Sequence, residues 1–488
     1  MKKVIFMGLD GLSWNVLNEL MENNELPNFK RLIQGASYGI MEAEEPLISP
    51  RIWTSMFTGK KPENHGIIDF YSKKGDLESS QIWDILHQKG FKLGIYRPLG
   101  TWDALPVEGF FIPCFLAFKK VAHPKKYTVI AELDQKARED KEKGLSPGDM
   151  IKSFWKFLKL GFPLKILVKI ILNSISLVLR RDPKKRLYAI KKIEFNIHSG
   201  FFLKLTKKFS PELSLLYENS CDSLSHRFWR DYVSGSTYSS VLPKMYRKID
   251  KYVGKVLKYA QKNDITLLVI SDHGFKTIKG MKAQNKIISL KILELLDVLG
   301  LQNDAYGESL AETFVFRLKP NSEIDLERFK NLVDSISCEG KPLFSTELKD
   351  EFLIVAINLS FDPGSTDLTV DLPDGNKISI SQILDFNSEN TGTHSSKDGV
   401  FIITGPNIKA GQNIGTIRPY DITPTILAIL NANIPSDMDG KVLNKIFRKG
   451  PKVDYYNPKE KGVHGDKKAL SEDEEEIIKK RLKTLGYL

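Results

Sequence analysis

Six side chains of metal-ligating type stand in short motifs far apart along this sequence. Asp10 ends the apolar run Val4-Ile5-Phe6-Met7-Gly8-Leu9. Asp222 and His226 lie four residues apart in Asp-Ser-Leu-Ser-His. Asp272 and His273 follow Leu267-Leu268-Val269-Ile270-Ser271, and His394 sits in Gly-Thr-His before another strand-like run. Three carboxylates and three imidazoles form the mixed N/O ligand set of a two-zinc hydrolytic site, with manganese the alternative given the carboxylates. Ser49, followed by Pro50, opens a helix-like stretch. A hydroxyl beside two metals is a nucleophile for phosphoryl transfer.

Each signal is ordinary when taken alone. An isolated Ser-Pro is usually a helix start and nothing more: Ser is a good N-cap, and Pro is favoured at the first helical position. Asp10-Gly11 is a common turn, with Gly allowing a sharp exit from a strand. Asp222 and His226 share one helix face at their spacing, as many surface pairs do. Gly274 supplies the irregular backbone that the adjacent ligands Asp272 and His273 need, and His394 alone is a loop histidine. Arg51, in the first turn after Ser49, is a substrate-phosphate contact or a solvated helix residue. The conjunction carries the argument. At the positive end of its helix, Ser49 would meet backbone N–H groups that hold phosphate and favour an alkoxide.

These side chains need a scaffold. Buried-type strands are expected at 3–9, 92–96, 266–271 and 400–404, with helical periods between them at 15–22, 80–89 and 422–430. Alternation of this kind predicts an α/β protein with a doubly wound, mostly parallel sheet. Ligands of such sheets gather beyond the carboxyl ends of the strands, where the clusters fall. The expected catalytic core is 1–114, 221–304 and 391–450. Residues 115–220 read as a helical, basic insertion or cap without a clear buried strand. Residues 305–390 read as a small mixed subdomain that delivers His394. Its strand-like pieces are 313–317 and 352–356, with turns at Asp362-Pro363-Gly364 and Leu372-Pro373-Asp374-Gly375. A charged tail, 451–488, ends in an amphipathic helix opened by Glu472-Asp473-Glu474-Glu475-Glu476.

Composition narrows the partners. The 488 residues carry a net charge of +12, with 41% hydrophobic and 27% charged residues, as in an ordinary globular chain. The basic excess favours anionic partners, or reflects a Lys-rich proteome. No nucleic-acid module is visible. Three cysteines (Cys114, Cys221 and Cys338) without paired spacing fit a reducing compartment. The N-terminal apolar run is too short for a signal peptide, so a cytoplasmic protein is expected. Between Lys152 and Arg181 there is no acidic residue, while Trp155, Phe157, Leu158, Phe162 and Leu164 alternate with lysines. The lysines argue against a spanning helix. A basic amphipathic surface on an anionic membrane, with Pro163 dividing it, is one reading of 150–181; a cap packed on the catalytic core is the other.

In order and spacing, these residues resemble the alkaline phosphatase superfamily, in the branch of type I phosphodiesterases and nucleotide pyrophosphatases. The likeness runs over Gly8-Leu9-Asp10-Gly11, Leu26-Pro27-Asn28-Phe29, Ser49 through Gly59, and Pro62-Glu63-Asn64-His65-Gly66-Ile67. It continues over Asp222 through His226, Asp272-His273-Gly274, Gly392-Thr393-His394, Asp398-Gly399, Gly405-Pro406 and Asp421-Ile422-Thr423-Pro424-Thr425. The resemblance implies one metal on Asp222, His226 and His394 and another on Asp10, Asp272 and His273. It implies attack by Ser49, close to the metals, and a covalent phospho-serine intermediate.

The chain departs from its relatives in three places. Many diesterases use Thr as nucleophile where Ser49 stands. They often place a phosphate-binding Asn shortly after the His-Gly-Ile motif, where this chain has Ile67-Ile68-Asp69-Phe70. The related sulfatases need Cys or Ser followed by x-Pro-x-Arg, and here Pro50 and Arg51 follow Ser49 directly. The leading expectation is therefore a metal-dependent phosphodiesterase acting on a phosphate ester. A phosphomonoesterase or phosphotransferase on a lipid- or sugar-linked phosphate is the alternative. From another class, a membrane-surface binding protein with a vestigial metal site competes, and the intact nucleophile argues against it. The oligomeric state is left open.

Overall fold

The run Val4–Leu9 is buried at every position, so it belongs inside a sheet covered on both faces. A computed structural model describes residues 2–100, 103–139, 147–162, 164, 167–168, 182–278, 288–358, 368–386, 390–458 and 470–485. The chain forms two compact units. The first comprises Met1–Leu224, Tyr238–Phe275 and Ser395–Lys468, and the second Ser225–Thr237, Lys276–His394 and Ala469–Leu488.

The first unit is built on an eight-stranded sheet. Its order is Gln412–Ile417, Ser37–Met41, Gly399–Thr404, Thr266–Ile270, Val4–Leu9, Leu213–Glu218, Leu93–Tyr96 and Gly109–Ile112. Gly399–Thr404 runs antiparallel to both its neighbours, and every other pairing is parallel. The four expected strands and the helices Trp14–Glu22, Ile82–Gln88 and Ile422–Ile429 form close to their expected places. This is the mostly parallel α/β architecture anticipated.

One expectation fails. The stretch 115–220 contains Leu213–Glu218, a fully buried strand beside Val4–Leu9 near the centre of the sheet. Its sequence, Leu-Ser-Leu-Leu-Tyr-Glu, hides it from an apolar-run search. Ser214 and Glu218 are nonetheless almost fully buried. The sheet interior accepts Glu218 because polar groups with partners can be buried, whereas the Ser214 hydroxyl has no hydrogen-bond partner. Glu218 takes the Ser220 hydroxyl and backbone N–H.

The described part of 115–220 also carries the helices Thr128–Glu139, Pro147–Lys159 and Pro183–Phe209. A buried ion pair fixes the first of these. Arg97, just past Leu93–Tyr96, donates from Nε and Nη2 to the two Asp134 oxygens at 2.7 and 3.0 Å. Burial disfavours the Arg97 charge, but the Asp134 carboxylate more than offsets this and holds its pKa above the ordinary value. The His198 Nε2 lies 3.5 Å from the same carboxylate. Pro163 and most of the segment after it lie outside the described residues.

The second unit carries an antiparallel sheet in the order Phe344–Lys349, Phe352–Ile357, Thr313–Leu318 and Ala305–Ser309. Phe314, Phe316, Leu353 and Val355 fill its core with Phe329 and Val333 from the helix Leu326–Asp334. The turn at Leu372–Gly375 closes with the Gly375 N–H on the Leu372 carbonyl at 3.0 Å. The Asp362-Pro363-Gly364 turn lies outside the described residues. The expected tail helix forms over Glu472–Leu485 and is tied by Glu475 to Lys319.

Candidate metal centre

Three adjacent parallel strands deliver the acidic side chains. Asp10 directly follows Val4–Leu9, Asp272 and His273 come just after Thr266–Ile270, and Asp222 comes shortly after Leu213–Glu218. All four residues are buried. Backbone bonds draw the strand ends together: the Asp10 N–H donates to Glu218 O at 2.8 Å, and the Asp222 N–H to Asp10 O at 3.0 Å. Gly11 sits between them with φ +67°. A Cβ there would meet the Asp222 Cα at 2.8 Å, so this turn requires glycine twice over. Gly274 differs from expectation. It lies in a short strand, Gly274–Thr277, and serves close approach, since a Cβ would come 2.4 Å from the Asp398 Cβ.

Asp10, Asp272 and His273 each bring a ligand atom within 4.8 Å of the others. The Nδ1 of His273 faces the Gly274 carbonyl at 3.1 Å. A carbonyl only accepts, so Nδ1 carries the proton and the neutral ring turns a lone pair outward from Nε2. That nitrogen lies 3.6 Å from Asp10 Oδ1 and 3.4 Å from Asp272 Oδ2. Asp10 Oδ1 is buried without a hydrogen-bond partner, whereas its Oδ2 accepts from the Tyr217 hydroxyl at 2.5 Å. Burial raises the Asp10 pKa well above the usual carboxylate range, and the charges of Asp272 and Asp222 raise it further. Electron pairs from three side chains thus converge on one buried point. A divalent cation satisfies such an arrangement, and the donor set is that of zinc or manganese.

Ser49 stands beside this cluster. Its hydroxyl oxygen is 3.4 Å from His273 Nε2. The helix Ser49–Thr58 is buried along its whole length and ends at Gly59 in the left-handed conformation. Ser49 is the first helical residue rather than the cap, which is Ile48, and no side chain caps the helix. Its hydroxyl is therefore not engaged in capping. Arg51 is buried too, not solvated.

Behind Arg51, the Ser55 hydroxyl donates to Arg51 O at 3.1 Å and lies 3.0 Å from His65 Nε2. His65 Nδ1 accepts from the Ile67 N–H at 3.1 Å. Burial, with the nearby Arg51 charge, lowers the His65 pKa to about 3. His65 is thus a neutral strut of the Ser49–Thr58 helix, a role its motif alone did not disclose.

In the second unit, His226 and His394 form a pair. Their Nε2 atoms are 3.0 Å apart. His226 Nδ1 faces the Gly392 carbonyl at 3.2 Å, so its Nε2 also presents a lone pair. His394 lies in a short strand, Gly392–Ser395. Asp222 and His226 occupy one helix, Ser220–Ser234, four residues apart.

A mostly parallel α/β sheet with carboxylates and an imidazole converging beyond its central strands makes this an α/β protein with a candidate metal centre. Residues 4–337 match the family described as type I phosphodiesterase / nucleotide pyrophosphatase, and the chain belongs to that family, within the alkaline phosphatase superfamily. The matched stretch includes every residue of the proposed ligand set except His394. A search of the curated proteins gave no match.

Proposed function

We propose that this phosphodiester or pyrophosphate hydrolase works through Ser49 and two metal ions, zinc with manganese as the alternative. The observation that carries this reading is the Ser49 hydroxyl, 3.4 Å from His273 Nε2 at the edge of the Asp10–Asp272–His273 cluster. Those three side chains would hold one ion. Asp222, His226 and His394 would hold the other, supported by the helical spacing of the first two and the paired imidazoles of the last two.

The ions, when bound, would lower the pKa of the attacking hydroxyl and neutralise charge on the phosphoryl oxygens. The protein does the rest. The sheet fixes the carboxylates, the helix start aims the Ser49 oxygen, and the helix N–H groups offer donors to a phosphate. Arg51, in the same first turn, is the proposed phosphate contact. The insertion within 115–220 is proposed to cap the catalytic core.

Metal analysis of the purified chain should find two ions, and an aromatic phosphodiester should be hydrolysed faster than its monoester. Ser49→Ala should lose at least about a thousandfold in turnover while keeping its metals. Asp222→Ala and His394→Ala should each lose the same single ion. Near-wild-type turnover by Ser49→Ala would assign the attack to water instead.

A further inference from the structure

We propose that Tyr217 is a positioning residue for the metal centre, holding Asp10 directly and the nucleophile helix through Trp53. This inference rests on the reading of Asp10 as a metal ligand.

Tyr217 belongs to the strand Leu213–Glu218, in parallel register opposite Gly8, two residues before Asp10. Its side chain is almost completely buried. The hydroxyl donates to Asp10 Oδ2 at 2.5 Å. The other oxygen, Oδ1, has no hydrogen-bond partner and faces His273 Nε2 at 3.6 Å. One carboxylate oxygen is thereby engaged and the other left for a cation. Without the phenol, the Asp10 carboxyl could turn about its Cβ–Cγ bond and offer either oxygen or both. A neutral donor on Oδ2 also confines the negative charge without adding a competing cation.

The ring of Tyr217 does separate work. Its centroid lies 5.3 Å from that of Trp53, the two planes crossing at 89°. Trp53 is in the Ser49–Thr58 helix and stacks on Phe57 of the same helix. Gly8 admits this contact: a Cβ there would stand 2.7 Å from the Trp53 ring. A single side chain therefore sets the ligand with its polar end and props the nucleophile helix with its apolar body. Aromatic pairs with this edge-to-face geometry add to the burial of their area.

Tyr217→Phe separates the two functions, since the ring stays and the hydroxyl goes. The full-length protein, stripped with chelator, is titrated calorimetrically with Zn²⁺ alone. One of the two binding events should weaken by about 10- to 100-fold, as outer hydrogen-bond partners of ligands typically require. The turnover number at saturating Zn²⁺ should recover toward wild type, whereas a merely structural defect would lower it at every metal concentration. Wild-type Zn²⁺ affinity in a folded Tyr217→Phe variant overturns the proposal. Asp10→Ala is the control for the underlying reading: if it keeps both ions, Asp10 is not a ligand and the metal assignment itself fails. Should Tyr217→Phe not fold, Trp53→Phe is titrated instead: with the phenol still on Asp10, Zn²⁺ affinity should stay within about twofold of wild type while turnover falls, and a loss of about tenfold or more in affinity overturns the proposed division of work.

Discussion

At the scale of single residues, the protonation of His65 has a sign that can be worked out. Folding lowers its pKa from 6.5 to about 3, chiefly by burial. Between those values the unfolded chain binds a proton that the folded chain refuses. The stability associated with the neutral ring is therefore complete above pH 6.5 and is lost as pH falls toward 3. His65→Gln should flatten that part of the profile in denaturant unfolding measured from pH 7 to pH 4, relative to wild type. An unchanged slope would mean that the ring is charged in the folded protein. Sequence motifs singled out Asp10, Ser49, Asp272 and His273 because each stands at the end of a strand or the start of a helix with a clear pattern. They did not single out His65 or Tyr217 for a role. Both work through contacts across the fold, to Ser55 and Asp10, which no local spacing records.

At the scale of elements, the buried charges show where pattern reading stops. Arg97 and Asp134 are each only 1% exposed at the side chain, Arg97 in the expected core and Asp134 in the stretch read as a basic insertion. Charged residues are read as surface by default, and the partner that permits burial is 37 positions away. Breaking such a pair leaves one buried charge uncompensated. Arg97→Met should cost about 3–5 kcal/mol in chemical denaturation, while Arg97→Met/Asp134→Leu should recover most of it. Equal losses in the two variants would show that packing, not charge, dominates there. The missed strand Leu213–Glu218 has the same origin, since its serine and glutamate interrupt the apolar run.

The helix Pro147–Lys159 raises the question of a membrane. Phe157 packs on Phe201 with centroids 5.0 Å apart, whereas Trp155 is 59% exposed next to Lys156. Leu164 is 56% exposed a little further on. We propose contact with an anionic lipid surface through this stretch. Among the described residues, no helix is long and apolar enough to cross a membrane. Sedimentation with anionic vesicles should be strong at low salt, weaken as salt rises, and fall severalfold in Trp155→Ala. No sedimentation at low salt ends the idea.

At the scale of the whole chain, the order of the motifs carried the family, because four separated clusters in one sequence rarely coincide by chance. Their strands also carried the mostly parallel sheet. What the order could not reveal is the path between them. The antiparallel strand Gly399–Thr404 and the parallel edge strand Gln412–Ile417 follow from pairings made over hundreds of residues. The net charge of +12 suits phosphate-ester substrates, whose approach it would favour at low ionic strength.

The central strand imposes a schedule on the ribosome. Val4–Leu9 is hydrogen-bonded on one side to Leu213–Glu218 and on the other to Thr266–Ile270. Two hundred residues must be made before either neighbour exists, on the order of 10–40 s at usual translation rates. Through that interval an apolar segment waits with both edges bare. A chain stopped at residue 210 should aggregate or be held by chaperones, whereas one stopped at 278 should gain solubility. Fractionation of the two truncated products from a cell-free synthesis measures the difference, and equal solubility would mean that the waiting strand finds other cover. The carboxylate of Asp10 cannot meet those of Asp222 and Asp272 until 212 and 262 further residues have been made.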